Sequence, residues 1–424
     1  MTRYVIIGNS TAAIAAVEGI RAAEAEAGNA GFTPGEITIV TDEPQHTYSR
    51  PLISYFLLGK VTEEGMRYRG DDFYAAHNCR LIHQRATRID PVQKQVILAD
   101  GSSLSYDKLL VATGSAPFVP PFSGLETVTD KTTFMSLDDA KRLDKMLGVK
   151  KKVLIIGAGL IGLKCAEGIL KRVQSVCVLD LAPRILSSIL DEDGAAIVQG
   201  HLEGQGITFR LDATVEGFEG GRAILAGGET LDFDILVLAV GVRPNTQLLN
   251  GIAEIDKGIV VNEKSATSAP DIYAAGDCTQ TQDISSGQSK IMALLPGAYM
   301  QGECAGVNMV ASAMGGEQDE KVFDKAIPMN AIGFFGLHVI TAGTYSGEVY
   351  KGGAKGDCQY KRLFYSDDRL NGYIIIGDVE KAGIYTSLIR EQTPLSGLDF
   401  ALVCEKPGLM AFTQEERARI MGNV

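Results

Sequence analysis

The 424-residue sequence has no C-x-x-C pair, no long apolar run and no excess of positive charge, and each absence removes a class of function. Its seven cysteines (Cys79, Cys165, Cys177, Cys278, Cys304, Cys358 and Cys404) are scattered and odd in number. That pattern argues against a disulfide framework or a cysteine-ligated metal cluster and fits a reducing cytoplasm. Most of them read as small buried hydrophobes. The formal net charge of −12 has the wrong sign for a nucleic-acid binder, because a phosphate backbone requires a basic surface. No apolar stretch reaches the length of a bilayer span. The apolar N-terminus lacks the basic leader of a signal peptide and reads instead as a strand. With 45% hydrophobic and 22% charged residues the composition is that of an ordinary globular protein, too long for one core and suited to two or three domains.

What is present is organised around Lys152 to Asp180, KVLIIGAGLIGLKCAEGILKRVQSVCVLD. Val153 to Ile156 reads as a buried parallel strand that breaks into Gly157, Ala158, Gly159, Leu160, Ile161 and Gly162 before an apolar helix. Gly157 permits the tight turn, Gly159 lets backbone approach a pyrophosphate, and Gly162 lets the helix pack on the strand, with the helix N-terminus aimed at the phosphates. The next strand, Val176 to Leu179, ends in Asp180, an acid that can accept hydrogen bonds from a ribose 2′-hydroxyl and would repel a 2′-phosphate. Strand, glycines, helix, strand and acid in that order predict a dinucleotide site.

Tyr4 to Arg21, YVIIGNSTAAIAAVEGIR, echoes this stretch: setting Gly8 on Gly157 aligns VIIG with LIIG and brings Glu18, Gly19 and Ile20 onto Glu167, Gly168 and Ile169. In this copy the second and third glycines are Ser10 and Ala13. Ile37 to Val40 is the following strand, with Asp42 or Glu43 in the place of the ribose-binding acid, and Arg50 is a candidate partner for phosphate or flavin. A second repeat sets Asp107 and KLLVATGSAP against Asp234 and ILVLAVGVRP, making Thr113, Gly114, Val240 and Gly241 candidates to meet a cofactor through backbone amides. Asp271 to Cys278, DIYAAGDC, is a further strand ending in Gly276 and Asp277, an acid at the crevice end of a parallel strand. Pro296 to Met314 is a helix of small residues whose N-terminus can hold negative charge on a bound ring and whose Gly and Ala content implies close packing on a neighbour. From Lys321 onward apolar and polar residues alternate with glycine turns, which predicts an antiparallel sheet with a hairpin at Asp367 to Gly372, a helix at Lys381 to Glu391 and a helical tail at Thr413 to Met421.

Taken together, the degenerate first motif, ATGSAP, GAGLIG, LAVGVRPN and YAAGD resemble the two-dinucleotide flavoproteins, the pyridine nucleotide-disulfide oxidoreductases. TYSRPLIS, LLPGAYMQGECAGVNM and NGYIIIGDVEKAGIYTSLI resemble the branch with rubredoxin reductase, the flavin domain of assimilatory nitrite reductase and the NADH:acceptor reductases that accompany carbon monoxide dehydrogenases. The resemblance implies an α/β fold with two Rossmann-like, glutathione reductase-like domains and a C-terminal α+β domain. The FAD domain would be residues 1–118 and 247–316, the NAD(H) domain 119–246 and the C-terminal interface domain 317–424. It also implies FAD at Gly8, Ser10, Ala13, Asp42 or Glu43, Arg50, the backbone of Ala86, Thr113, Gly114 and Asp277, and NAD(H) at Gly157, Gly159, Gly162, Asp180 and Gly241.

Three departures from the family pattern carry information. Relatives that reduce disulfides or peroxide use a redox cysteine near the second strand, and Ile37 to Gly59 contains none. Many relatives have a Glu where this chain has Lys164, close to the nicotinamide, and some pair it with a Lys where this chain has Tyr55. The expected activity is therefore hydride exchange between NADH and flavin, with electrons passing singly to or from an external iron-sulfur or rubredoxin-type carrier and no cysteine relay. No catalytic side chain is assigned beyond the flavin, Lys164 being a candidate cation at the nicotinamide. Lys351, Lys355, Lys361 and Arg362 form a basic window that could dock the carrier. An NADH oxidase and a redox-sensing or complex-subunit flavoprotein are the alternatives, and the chain is expected to be a monomer or homodimer.

Overall fold

The computed structural model describes residues 1–28, 31–316, 320–353, 359–414 and 417. Two five-stranded parallel sheets carry the repeat. In the first the order is Ile272–Ala274, Lys108–Val111, Arg3–Ile7, Glu36–Thr41 and Cys79–His83. In the second it is Lys131–Thr133, Ile235–Leu238, Lys152–Ile156, Ser175–Leu179 and Ile207–Arg210. The two central strands and the Asp-led strands beside them are buried nearly end to end, as strands covered on both faces must be.

The duplication is longer than its motifs. Each copy inserts a three-stranded antiparallel meander before the Asp-led strand: Ala86–Asp90, Gln95–Leu98 and Ser103–Ser105 in one, Val215–Glu219, Arg222–Leu225 and Thr230–Asp232 in the other. The leading acids do the same work in both. Asp107 accepts from the backbone N–H of Arg3 at 2.8 Å and Asp234 from that of Lys152 at 2.7 Å, so each closes the start of its central strand. Beyond the sheets, Ser115–Pro117 and Val242–Pro244 pair antiparallel with each other, which makes the second repeat the crossing between the two units.

Close packing of the Leu295–Ala313 helix follows from its small residues. A Cβ on Gly302 would lie 2.1 Å from the carbonyl oxygen of Ala12, and one on Gly306 would lie 2.3 Å from that of Ala16, so this helix meets Thr11–Gly28 backbone to backbone. Tyr299 and Arg69 then converge on Glu18, with the Tyr299 hydroxyl 2.8 Å from its carboxylate.

The C-terminal antiparallel sheet has the order Met329–Phe334, Leu337–Gly343, Arg369–Ile376, Tyr360–Ser366 and Glu348–Gly352. Its hairpin turns at Asp367 and Asp368, both at positive φ, a conformation that Asp tolerates in a two-residue loop. The predicted helix is Ala382–Arg390; all but Thr413, Gln414 and Arg417 of the expected tail lies outside the described residues. Phe334, Val339, Tyr360 and Ile374 share one core with Ile155, Leu163 and Val198 of the second unit. Tyr360 donates to Asp191 at 2.5 Å, and a ring nitrogen of His201 lies 3.0 Å from the Phe334 carbonyl. Among the described residues no helix is long and apolar enough to cross a membrane.

Candidate cofactor sites

A cavity of about 600 Å³ opens at the carboxyl ends of the first sheet. Gly8, Ser10, Asp42, Glu43, Arg50 and Ala86 line it from the first half of the chain, and Thr113, Gly114, Gly276 and Asp277 from the returning strands. Ala13 does not reach this wall. It is 1% exposed within the Thr11–Gly28 helix, where the third-glycine position serves packing, and a methyl group is tolerated there.

The local backbone explains the glycines that remain. Gly8 has φ +118° and a Cβ there would sit 2.1 Å from the Ala112 carbonyl oxygen. Gly157 repeats this at φ +115° and 2.2 Å from the Ala239 oxygen. A Cβ on Gly162 would lie 1.9 Å from the Gly157 oxygen, whereas Cβ atoms on Gly114, Gly159 and Gly241 would meet nothing within 4 Å. The first set is imposed by the fold, and the second borders open space where a ligand backbone or phosphate can approach. Gly159 caps the Leu160–Ile169 helix without a side-chain bond, so the amides opening at Leu160 and Ile161 remain for a ligand.

Both candidate acids of the first unit line the cavity, and their partners differ. Glu43 is bound to the Arg50 guanidinium at 2.6 Å, while Asp42 stands exposed at the rim. Arg50 also donates to the Tyr48 hydroxyl at 3.1 Å. The Asp277 carboxyl is pushed above the usual carboxylate range by burial, which the Arg50 charge partly opposes, and its nearest donor is the Ser115 hydroxyl at 3.4 Å. Two further polar atoms in the wall, His46 Nε2 and Thr47 Oγ1, are buried without a partner. Unsatisfied acceptors and donors around a cradle of this size fit a polar, elongated cofactor such as FAD.

In the second unit Asp180 accepts from the backbone N–H groups of Ala158 at 2.5 Å and Ala182 at 2.8 Å, which ties the acid to the glycine turn. Val240 packs on the core beside Gly241. Several residues of the first site were not legible as such. Asn245 locks the Thr113–Gly114 turn by donating to the Thr113 carbonyl at 2.9 Å while its own carbonyl accepts from the Thr113 hydroxyl at 2.7 Å; its signal was the Asn closing GVRPN. Gln301 accepts from the Gly276 N–H at 2.8 Å, and Asn9 accepts from the Tyr74 hydroxyl at 2.9 Å.

Lys164 is not a free cation. It pairs with Glu167, donates to the Gly333 carbonyl at 3.1 Å and lies 4.9 Å above the Tyr55 ring. Glu167 in turn accepts from the Phe335 N–H at 2.7 Å, so the pair clamps the C-terminal hairpin to the coenzyme-type helix. The basic window is likewise corrected. Lys361 donates to the Cys404 carbonyl at 3.2 Å, satisfying the end of the Phe400–Glu405 helix, and Arg362 binds Asp193 at 3.1 Å while stacked on Tyr360. Lys355 lies outside the described residues, which leaves Lys351 as the outward cation of that window among those described.

Fold and sites together define a flavoprotein oxidoreductase that uses FAD and NAD(H). The chain belongs to the pyridine nucleotide-disulphide oxidoreductase family, whose description matches residues 2–302, and residues 328–393 match the rubredoxin NAD+ reductase C-terminal domain. It is 32% identical over 408 residues to the epsilon subunit of NADH-dependent phenylglyoxylate dehydrogenase from Aromatoleum evansii, covering 94% of this chain and 93% of that one. It is 29% identical over 408 residues to nitrite reductase [NAD(P)H] of Bacillus subtilis, covering 93% of this chain and spanning 48% of that protein. A crystal structure of the covalent putidaredoxin reductase–putidaredoxin complex superposes with a TM-score of 0.85 at 24% identity, covering 96% of each chain, which shows the fold.

One consequence is testable on the first site. Because the Asp277 pKa is raised in the folded chain, protonation favours the fold, and that contribution is lost as pH rises through the raised value. Asp277→Asn is therefore expected to melt higher than wild type as apoprotein above neutral pH, with the difference vanishing in acid. The same variant should retain FAD about tenfold less tightly, the cost of one hydrogen bond to a charged group. Melting curves against pH and flavin dissociation by absorbance check both halves.

Proposed function

We propose that the chain moves electrons between NADH and an external one-electron carrier of the iron-sulfur or rubredoxin class, through FAD and without a redox-active cysteine. The observation that carries this reading is the wall of the FAD-type cavity, which contains no cysteine among the described residues. Cys278, next to Asp277, is fully buried, and burial pushes its thiol up to about 11. Cys79 is pushed up to about 11 for the same reason, and a thiol so raised is a poor nucleophile at neutral pH. The relatives support the carrier class, since they include a rubredoxin NAD+ reductase domain, a putidaredoxin reductase and a redox enzyme subunit.

When bound, FAD supplies two-electron hydride exchange with the nicotinamide and one-electron exchange with the carrier. The chain's own residues bind and orient. Gly8, Ser10 and the start of the Thr11–Gly28 helix would receive the FAD pyrophosphate, with Ala13 packing that helix on its strand. Asp42 or Glu43 would take the ribose, Glu43 together with Arg50, and Ala86 would contact the cofactor through its backbone. Thr113, Gly114, Gly276 and Asp277 would hold the cofactor where the returning strands close the cavity. The N-terminus of the Leu295–Ala313 helix places its partial positive charge there. On the coenzyme side Gly157, Gly159, Leu160, Ile161 and Gly162 would receive the pyrophosphate and Asp180 the ribose, with Val240 and Gly241 as further contacts. Correct placement of two reactants accounts for the rate, and no side chain has to exchange a proton.

Thiol alkylation tests the cysteine-free path. Native protein treated with iodoacetamide should keep at least about nine-tenths of its NADH-driven carrier reduction, because buried high-pKa thiols react slowly. Stoichiometric loss of activity with one alkylated cysteine would contradict it. A second reading, an electron-transferring subunit of a larger complex, is favoured by the match to nearly the whole length of the Aromatoleum evansii subunit. Co-purification from native extract at a mass well above that of a dimer distinguishes the two.

A further inference from the structure

Residues 291–294 have no regular structure, and the run Ile291–Pro296, IMALLP, carries no charge and leads into the Leu295–Ala313 helix. The run forms a wall between two spaces. Leu295 and Ala298 line the 600 Å³ cavity, while Met292, Leu294, Pro296 and Gly297 line a second cavity of about 50 Å³, shared with Met329 and Thr386 of the C-terminal part. Ala293, Leu295 and Pro296 are exposed, Leu295 by 38%. A contiguous apolar lip at the outer face of a cofactor wall is a mark of an interaction site rather than of ordinary surface.

Cations flank the lip. Lys290 immediately precedes it; its side chain is 34% exposed and the carboxylate it pairs with, Asp283, is 0% exposed, so the pair presents its positive end. Arg390, in the wall of the smaller cavity, meets the Met300 sulfur at 3.6 Å and forms no ion pair with a carboxylate among the described residues. Lys325 is neutralised by Glu391 at 2.7 Å. In a chain of net charge −12, Lys290 above its buried partner and the half-buried Arg390 set positive ends beside an apolar lip.

We propose that Ile291–Pro296, with Lys290 and Arg390, is the docking surface for an acidic iron-sulfur electron carrier; this rests on the carrier reading of the preceding section. Electron tunnelling falls off exponentially with distance, so the carrier has to seat against the wall of the flavin-type cavity. Leu295 of the lip is part of that wall, whereas Lys351, Lys361 and Arg362 line no part of it. An apolar centre with a charged rim has the anatomy of a transient interface, and the acidic remainder of the surface repels an acidic carrier from other faces.

The test uses the holoprotein with purified rubredoxin and a putidaredoxin-type ferredoxin as carriers and ferricyanide as the small acceptor. Ala293→Glu, Lys290→Gln and Arg390→Gln should each raise the carrier KM about tenfold, and the two neutralised variants should flatten its salt dependence. Flavin content, the KM for NADH and ferricyanide turnover should stay at wild-type values, and Lys351→Gln should leave the carrier KM unchanged. An unchanged carrier KM in Ala293→Glu and Arg390→Gln, or a rise in Lys351→Gln instead, overturns the lip. Should Lys290→Gln lose flavin because Asp283 is left unpaired, Ala293→Glu, at an exposed position, still decides. A wild-type protein that reduces ferricyanide but neither carrier contradicts the carrier reading itself, and the lip falls with it.

Discussion

Asp180→Ala is expected to lower kcat/KM for NADH about a hundredfold, because a buried or ligand-facing charged acceptor is worth about 1.5–3 kcal/mol per hydrogen bond lost. The carboxylate has two duties. It faces the coenzyme ribose in the proposed site, and it holds the Ala158 and Ala182 amides, so its removal also loosens the turn that meets the pyrophosphate. NADPH efficiency should fall far less, since the same acid repels a 2′-phosphate, and discrimination between the coenzymes should collapse. Steady-state kinetics with both coenzymes checks this. A wild type that already prefers NADPH, or an unchanged NADH to NADPH ratio in the variant, would contradict the assignment.

Gly302→Val should fail to fold or should emerge without flavin. The added Cβ would lie 2.1 Å from the Ala12 carbonyl oxygen, with backbone on both sides of the contact, so no side-chain rotation relieves it. The two helices would have to separate, at a cost of more than about 4 kcal/mol, a large part of a domain's stability. Because Thr11–Gly28 follows the first glycine turn, that separation also displaces the FAD-type pyrophosphate site. Gly200→Ala is the control: this glycine lies within the Glu192–Gly204 helix with nothing within 4 Å of a Cβ, and alanine there should stabilise by about 0.5–1 kcal/mol. Thermal melting and the flavin-to-protein absorbance ratio separate the two variants. Full flavin and an unshifted melt in Gly302→Val would overturn the packing account.

The parts legible in the sequence are those where backbone geometry leaves a chemical trace. Gly8, Gly157 and Gly162 are forced by carbonyl oxygens within about two ångströms of any Cβ, and the repeat of Gly8 at Gly157, with its strand, announced both parallel units. The small residues of Leu295–Ala313 announced a close helix contact for the same reason, without saying that Thr11–Gly28 was the partner. The meanders before Asp107 and Asp234 were not visible as a repeat, because antiparallel edges tolerate many sequences once their registers are set.

Charge was read less well than shape. Lys361 and Arg362 look like a surface patch in the linear sequence, yet one satisfies a helix end contributed from Cys404 and the other binds Asp193 of the Glu192–Gly204 helix. Neither partner is near in sequence, and no periodicity reports a long-range ion pair. Lys164 followed the same rule in part: Glu167 stands at i, i+3 on the same helix, but the bond of Lys164 to Gly333 and its position above Tyr55 depend on the C-terminal hairpin folding back. Asn245 and Gln301 order the FAD-type cavity through bonds to turn backbone, a role that composition alone does not encode.

The central claim is that electrons cross this protein from NADH through FAD to a one-electron carrier with no thiol in the path. Anaerobic stopped-flow measurement tests it directly: purified holoprotein is reduced with one equivalent of NADH and then mixed with rubredoxin or a putidaredoxin-type ferredoxin. The account predicts rapid flavin bleaching by NADH, reoxidation by two equivalents of carrier, and the same course after alkylation with iodoacetamide. Flavin that stays reduced in the presence of either carrier and is reoxidised only when oxygen or a disulfide is admitted would contradict it.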